Sequence, residues 1–444
     1  MASNEASASS HENSRCTHGF PTVKCATIFA NKSLRLAMQN IYTFSKPYSM
    51  LPHKTTLKIK SSFMVEKMVR IIYANDGIST YDKLFLSSLK RDHEVYLLTF
   101  HNAPSQVPPS VKVVKVPELI GPITLHPFEG VRKHGLTPLR ILTFRSYISK
   151  IKPDVVIGCW ASTYGFYAAS SGFHPYILSV WGSDIMVYPV KYKPLRFFIS
   201  YALKKADAIL ADSDIHKKVA ISLGGSENKI IKFPWVKLDT FEPDEKTQIA
   251  IRKNLGWSRN DIVVISLRDH KPIYDVDSLI EAIPQIVKKV QNAKFLILGE
   301  GPLTLKFRKR INVLGLASKV AFIGRVPHQD VAKYLNAADI YVSTSLSDGS
   351  SACLLEAMAC SLPPVVTNIE GNREWVKDGI NGCLVPTSQP QELAEKIIYL
   401  AKNRHVRDEL ANKAIQTIKT RINWEKNMDI LNETIMMLVS GKNR

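Results

Sequence analysis

Ile340-Tyr-Val-Ser343-Thr-Ser-Leu-Ser-Asp348-Gly349-Ser350-Ser351-Ala-Cys-Leu-Leu-Glu356-Ala-Met-Ala-Cys360 joins a short apolar run, a polar loop with one glycine and a run of strong helix formers. That succession reads as strand, loop and helix, the repeating unit of a parallel sheet. The N–H groups at a helix start near Ser351 lack intrahelical acceptors and carry partial positive charge, which suits a diphosphate. Gly349 lets a backbone approach closely. Asp348, at the loop mouth, can accept hydrogen bonds from sugar hydroxyls, and Glu356, two turns into the helix, can reach back to a ribose diol. The spacing by itself leaves a plainer reading open, in which Asp348 and Ser350 are caps and Glu356 a solvated helix residue.

Working outward, the same alternation recurs on both sides. Buried-strand runs at 261–266, 294–298, 320–323, 364–367 and 382–385 flank the 340–343 run, with helical patterns between them. An earlier series lies at 69–73, 94–100, 154–158, 176–180, 208–211 and 229–233. The segment 236–251, with Pro243 and several acidic residues, reads as the linker between the two series. The expected architecture is therefore α/β: two Rossmann-like domains, 68–240 and 241–425, facing a cleft, with ligands beyond the carboxyl ends of the strands. Residues 426–444 are expected to belong to a C-terminal amphipathic helix that packs back toward the first domain. Residues 1–67, Ser-rich and with little apolar periodicity, read either as a disordered leader or as a mis-assigned start ahead of Met64 or Met68.

The composition agrees with a large globular chain. It has 444 residues, 45% hydrophobic and 22% charged, well away from the regime of disorder. Six cysteines without metal-ligand spacing argue against a disulfide scaffold and a structural zinc site. The formal net charge of +20 invites anionic partners. Basic residues outnumber acidic ones 9 to 3 in 1–67, 22 to 13 in 68–240 and 28 to 23 in 241–444, so the excess lies mostly in the first half. The basic residues are not interleaved with aromatics as in strand- or groove-reading modules, so nucleic acid is not an expected partner. No apolar run is long enough for a transmembrane helix.

Taken with its neighbours, the 340–360 stretch resembles the E-x7-E signature of retaining GT-B glycosyltransferases of family 4 (group 1), with Asp348 and Glu356 as the two acids. Arg268-Asp-His-Lys271 after the 261–266 strand resembles the family's diphosphate-binding strand end, and Gly299-Glu-Gly301-Pro302 its Gly-x-Gly-Pro turn. Phe322-Ile-Gly324-Arg325-Val326 is similar to the strand end that frames the nucleobase, and Gly371-Asn-Arg-Glu374 onward to the loop after the signature helix. The resemblance implies catalytic roles for Asp348, Glu356 and Arg268, with the guanidinium on the leaving diphosphate. It implies donor contacts for Lys271, Gly299, Gly301, Gly324, Arg325, Val326, Gly349, Ser350 and Ser351. In the first domain the match is looser. Asn75-Asp76-Gly77 stands where the family has a glycine loop, and Trp181-Gly-Ser-Asp184 where it has His-Gly-x-Asp. These five residues are the expected acceptor or cleft group. Trp181 cannot accept a hydrogen bond, so it is expected to stack or form a wall; Asp184 reads equally as a cleft residue or an N-cap. Where the family adds a lysine, the chain has Tyr274 and Asp275, and Lys271 is the nearest substitute.

The implied reaction moves a sugar from a nucleotide-diphosphate sugar to an acceptor hydroxyl with retention, the acceptor being a glycan or a lipid-linked glycan precursor. Neither a cofactor nor a metal is expected: Asp212-Ser-Asp214 and Asp275-Val-Asp277 mimic a metal-binding DxD, but each stands at a helix start. Alternative readings are a degenerate GT-B scaffold, a nucleotide-sugar epimerase or hydrolase, and, more remotely, a nucleic-acid binder. Arg132, Lys133, Arg140, Arg145, Lys150, Lys152, Lys191, Lys193, Arg196, Lys204 and Lys205 lie beside apolar groups. They suit either an anionic membrane surface or ordinary solvated helix faces. The expected location is cytoplasmic, including the inner face of the membrane.

Overall fold

The computed structural model describes residues 68–102, 107–117 and 138–441. The leader 1–67, Cys16, Cys25, Arg132 and Lys133 lie outside the described residues.

The first sheet contains β1 (Arg70–Ala74), β2 (Glu94–Thr99), β3 (Lys112–Lys115), β4 (Val155–Cys159), β5 (Tyr176–Ser179), β6 (Ala208–Ala211) and β7 (Ile230–Lys232). The second contains β8 (Ile262–Leu267), β9 (Ala293–Leu298), β10 (Val320–Gly324), β11 (Ile340–Ser343), β12 (Pro364–Thr367) and β13 (Cys383–Val385). The strand orders are β3-β2-β1-β4-β5-β6-β7 and β10-β9-β8-β11-β12-β13, and neighbouring strands run parallel. Most strands are buried on both faces, as continuous Val/Ile/Leu runs in a parallel sheet require. In each sheet the order reverses beside the first strand, between β1 and β4 and between β8 and β11. A crevice opens at such a point, because the loops after the two strands leave in opposite directions.

Among the described residues the chain passes between the lobes twice. The first crossing follows β7 and ends at helix Glu245–Asn254, which Asp244 caps through the N–H groups of Lys246 and Thr247. The second is the short step from helix Arg404–Arg421 to helix Trp424–Gly441. Trp424, Met428, Leu431, Ile435 and Val439 recur at helical spacing and are buried in one cluster with Val69, Ile71, Phe85 and Leu89 of the first lobe. Trp424 Nε1 also donates to Ser88 Oγ at 3.0 Å. Each such side chain contributes about 1.5–3 kcal/mol by leaving water, so this helix fastens the second lobe's end to the first. The strand β3, Lys-Val-Val-Lys at the sheet edge, is an element that the hydrophobic runs did not announce, since both its ends are exposed lysines.

Candidate active site

Most of the residues singled out from the sequence sit at or just beyond the carboxyl ends of the strands. From the first lobe come Asn75, Asp76 and Gly77 after β1, Trp181 and Asp184 after β5, and Asp212 to Asp214 after β6. From the second come Arg268 to Lys271 after β8, Gly299 to Gly301 after β9, Arg325 and Val326 after β10, and Asp348 to Ser351 after β11.

Arg268 is the centre of the second-lobe group. It is 7% exposed. Its Nε donates to Ser343 Oγ at 3.0 Å, its Nη2 to Asp348 Oδ2, and its plane lies over the Tyr274 ring, 5.1 Å from the centroid. Burial works against the charge, and the Asp348 carboxylate more than offsets it, so the guanidinium stays protonated above its ordinary range. Tyr274 thus fills with a ring the place where a second cation was expected. Lys271 does not join Arg268: it pairs with Asp269 at 2.8 Å, and Arg325 reaches both oxygens of the same carboxylate at 3.2 Å. Val326 is a partly buried neighbour of the second-lobe core.

The glycines of this group permit close backbone approach. Gly299 has φ of 100°, and a Cβ there would lie 2.3 Å from the Arg268 carbonyl oxygen; one at Gly301 would lie 2.5 Å from that of His270. The Gly299 N–H donates to the Gly324 carbonyl at 2.8 Å, so the ends of β8, β9 and β10 converge and fix the loop that carries Arg268.

Glu356 lies in helix Ala352–Ala359, is 2% exposed, and its Oε1 is 2.7 Å from His328 Nε2. The hydrogen bond to Glu356 raises the His328 pKa above its ordinary value, against the effect of burial. The His328 ring is met by the edge of Tyr81, at 6.3 Å between centroids, and by Phe241 at 5.4 Å. Tyr81 comes from the first-lobe helix Thr80–Leu89. Burial, followed by the Glu356 carboxylate, pushes its hydroxyl well above the usual range. Sequence reasoning missed both residues. His328 stood in plain sight, four residues past Gly324, but its partner Glu356 lies on a helix reached only after another strand.

The loop after β11 is also where the lobes touch. A Cβ on Gly349 would lie 2.3 Å from His216 Cε1 and 2.9 Å from Asp212 Oδ1, so the glycine admits a first-lobe histidine. His216 Nδ1 is 2.5 Å from Asp212 Oδ1. Ser350 Oγ donates to the Asp212 carbonyl at 2.7 Å and accepts from Trp375 Nε1 at 2.9 Å. The Ser350 hydroxyl is therefore engaged in the seam. Ser351 is the N-cap of helix Ala352–Ala359 with no side-chain cap bond, and its buried Oγ has no partner among the described residues. Gly371 closes the back of the loop; a Cβ there would lie 2.3 Å from the Asp348 carbonyl oxygen.

In the first lobe, Trp181 is sandwiched between Trp160 (5.8 Å, 16°) and Trp235 (5.5 Å, 25°), with Tyr81 at its edge. Asp184 is fully buried, in the first turn of the short helix Ser183–Met186. Its Oδ2 accepts from the Ala161 N–H at 2.8 Å and its Oδ1 from the Trp181 N–H at 3.1 Å. It therefore braces the loops after β4 and β5 instead of presenting its carboxylate to the cleft. Asn75 turns inward and donates to Asp82 Oδ1 at 2.6 Å, while its own buried Oδ1 has no partner among the described residues. Asp76 pairs with His101 at 3.1 Å, and Gly77, with φ of 72°, turns the chain against Leu97.

The two DxD look-alikes disperse their carboxylates. Ser213 is the N-cap, accepting from the His216 N–H; Asp212 holds His216, and Asp214 pairs with Lys232 at 3.0 Å. Asp275 accepts from Ser278 Oγ at 2.7 Å and Ser388 Oγ at 2.9 Å, whereas Asp277 pairs with Lys306. Among the described residues no three His, Cys, Asp or Glu side chains are grouped to hold a metal ion.

Two parallel sheets that meet through loops at their carboxyl ends, with a buried arginine and a helix start on one side of the seam, are the arrangement of GT-B glycosyltransferases. The comparisons carry this to a family. The description "Glycosyl transferase 4-like" matches residues 70–213, and "Glycosyl transferases group 1" matches 247–419. The chain belongs to the group 1 glycosyltransferases. A Bacillus subtilis protein named as a teichuronic acid biosynthesis glycosyltransferase, TuaC, is 27% identical over 285 residues, covering 63% of this chain and 69% of its own. The N-acetyl-alpha-D-glucosaminyl L-malate synthase of Bacillus anthracis is 24% identical over 255 residues, 56% of this chain and 64% of its own, so these alignments span about two thirds of each relative. The crystal structure of Anabaena HepE in complex with UDP and glucose shares the fold, with a TM-score of 0.69 at 18% identity over 83% of this chain and 100% of that one.

Proposed function

We propose that this protein transfers a sugar from a UDP-sugar to an acceptor hydroxyl of a glycan or glycolipid, with retention at the anomeric carbon and without a bound metal. The observation that carries the reading is the buried Arg268, paired with the part-exposed Asp348 beside the start of helix Ala352–Ala359, with the buried Glu356 in that helix. A nucleotide diphosphate is the ligand that uses all three. Its phosphates replace Asp348 on the guanidinium and meet the free N–H groups of the helix start. The released Asp348 carboxylate accepts from the sugar hydroxyls, while Glu356, held through one oxygen by His328, keeps its other oxygen for the ribose diol. UDP is the first nucleotide to try because HepE was crystallised with it.

In the reaction the bond from the anomeric carbon to the diphosphate oxygen breaks, and the acceptor oxygen bonds to the same face of that carbon. The acceptor's proton passes to the departing phosphate oxygen. No protein nucleophile is needed; the chain supplies orientation and a fixed positive charge where negative charge grows. The test incubates the protein with UDP-, GDP- and ADP-sugars, with and without a lipid extract, and scores free nucleotide. Acceptor-dependent release of UDP, cut severely in a folded Glu356→Ala variant, is the expected result. Release that ignores the acceptor is a hydrolase, and no release with any donor is the degenerate scaffold that Tyr274 in the cation's place also allows.

A further inference from the structure

Helix Pro138–Ile151 and helix Lys193–Lys205 flank the same buried helix, Tyr164–Ser170. Phe144 meets Tyr167 at 5.8 Å, and Phe198 and Tyr201 meet Phe166 at 5.0 and 6.0 Å. Their outer sides therefore share one face of the first lobe, and the short helix Tyr188–Lys191 packs against the second of them. On this face Val190 is 79% exposed, Phe197 72%, Leu142 62% and Leu139 39%. Around them lie the exposed bases Arg145, Lys150, Lys152, Lys191, Lys193, Arg196, Lys204 and Lys205. No aspartate or glutamate occurs in 138–152 or in 186–206.

That pattern separates this face from an ordinary solvated one. Elsewhere several exposed helix bases have an acid beside them, Lys413 with Glu409, Lys333 with Asp330 and Arg310 with Glu281, whereas these two stretches contain no acid at all. Here several lysines lie instead over tyrosine rings, Lys150 on Tyr147 at 5.3 Å, Lys191 on Tyr192 at 5.2 Å and Lys205 on Tyr201 at 5.9 Å. Bases with no acid partner among the described residues seek external anions, and exposed Phe, Val and Leu at their centre seek an apolar phase. A bilayer surface with anionic headgroups offers both at once; a polynucleotide or an acidic protein tail supplies the charge but not the hydrocarbon.

We propose that this face docks on an anionic lipid bilayer. Val190 lies six residues beyond Asp184, which braces the Trp181 loop, so docking brings the membrane to the first-lobe side of the seam. On the transferase reading, with which this inference connects but which it does not require, the acceptor is presented from that surface as a lipid-borne sugar.

The test is co-sedimentation with vesicles of phosphatidylcholine alone and of phosphatidylcholine with phosphatidylglycerol, for the whole chain and two variants. Wild type should bind the anionic vesicles in a salt-sensitive manner and the neutral ones weakly. Lys193→Gln with Arg196→Gln should weaken binding about thirtyfold, from about fivefold per basic side chain near the surface. Phe197→Ser, which changes no charge, should weaken it about tenfold. A Lys413→Gln control on the other lobe should bind as wild type. Equal binding to both vesicle types, or no loss in the Phe197 variant, overturns the proposal, as does RNA binding that depends on Lys193 and Arg196 but not on Phe197. UDP binding measured alongside keeps the two readings apart: vesicle binding without UDP binding removes only the transferase reading, and UDP binding without vesicle binding removes only this one.

Discussion

Replacing Arg268 by methionine separates catalysis from stability. The methionine roughly fills the arginine's stem, so little cavity is left. The variant removes a buried charge along with its desolvation cost, and the orphaned Asp348 carboxylate, 21% exposed, retains a path to water. Removing one partner of a fully buried ion pair costs about 3–5 kcal/mol by stranding the other charge; because Asp348 can rehydrate, the cost falls toward that of the two lost hydrogen bonds, to Ser343 and Asp348. The expected destabilisation is about 1–2 kcal/mol. Turnover should respond much more. A preorganised charge aimed at the departing diphosphate is worth about 100- to 1000-fold in kcat, or about 2.7–4 kcal/mol. Arg268→Lys should recover little, because a point charge on a flexible stem cannot span Ser343 and a phosphate as a planar fork does. The assays are urea unfolding and steady-state release of nucleotide from the preferred donor. A folded Arg268→Met enzyme within threefold of wild-type turnover would refute the assignment.

Three further outcomes follow from other parts of the fold. His328 has its pKa raised by Glu356, so the bond contributes stability that is complete below the unfolded histidine pKa of about 6.5 and is lost as pH rises through the higher folded value. Wild type should lose more stability than His328→Gln between about pH 6 and pH 9, as read from urea midpoints; parallel curves would contradict the pairing. Gly349→Ala forces a methyl onto His216 and should cost about 1–3 kcal/mol and lower kcat, and adding His216→Ala should return part of both, which a double-mutant cycle measures. Trp424→Ala removes the C-terminal helix's largest anchor and its bond to Ser88, and should cost about 3–5 kcal/mol in urea unfolding; a loss below 1 kcal/mol would mean that the helix does not fasten the lobes.

Much of this architecture was legible because parallel strands buried on both faces leave an unmistakable print. The runs at 340–343, 364–367 and 208–211 coincide with β11, β12 and β6. Lys112–Lys115 was not legible, since an edge strand with lysine ends needs no apolar pattern. Within the site, the sequence pointed to Arg268, Asp348 and Glu356 separately, but not to their pairing. Arg268 and Asp348 are 80 residues apart and meet because β8 and β11, not consecutive in the chain, are neighbours at the switch point. The same crossover hides His328 from Glu356. Gly349, Ser350 and Asp184 show a different limit. Each carries a residue type suited to a ligand, yet the first two are drawn into contacts with the other lobe and the third into bracing two loops, none of which local sequence records.

A crystal structure of the protein grown with UDP addresses the central claim directly. The diphosphate is expected at the start of helix Ala352–Ala359, within hydrogen-bonding distance of Arg268, with Asp348 turned off the guanidinium and Glu356 on the ribose. UDP bound elsewhere, or an Arg268–Asp348 pair left intact beside a fully occupied nucleotide, would contradict it.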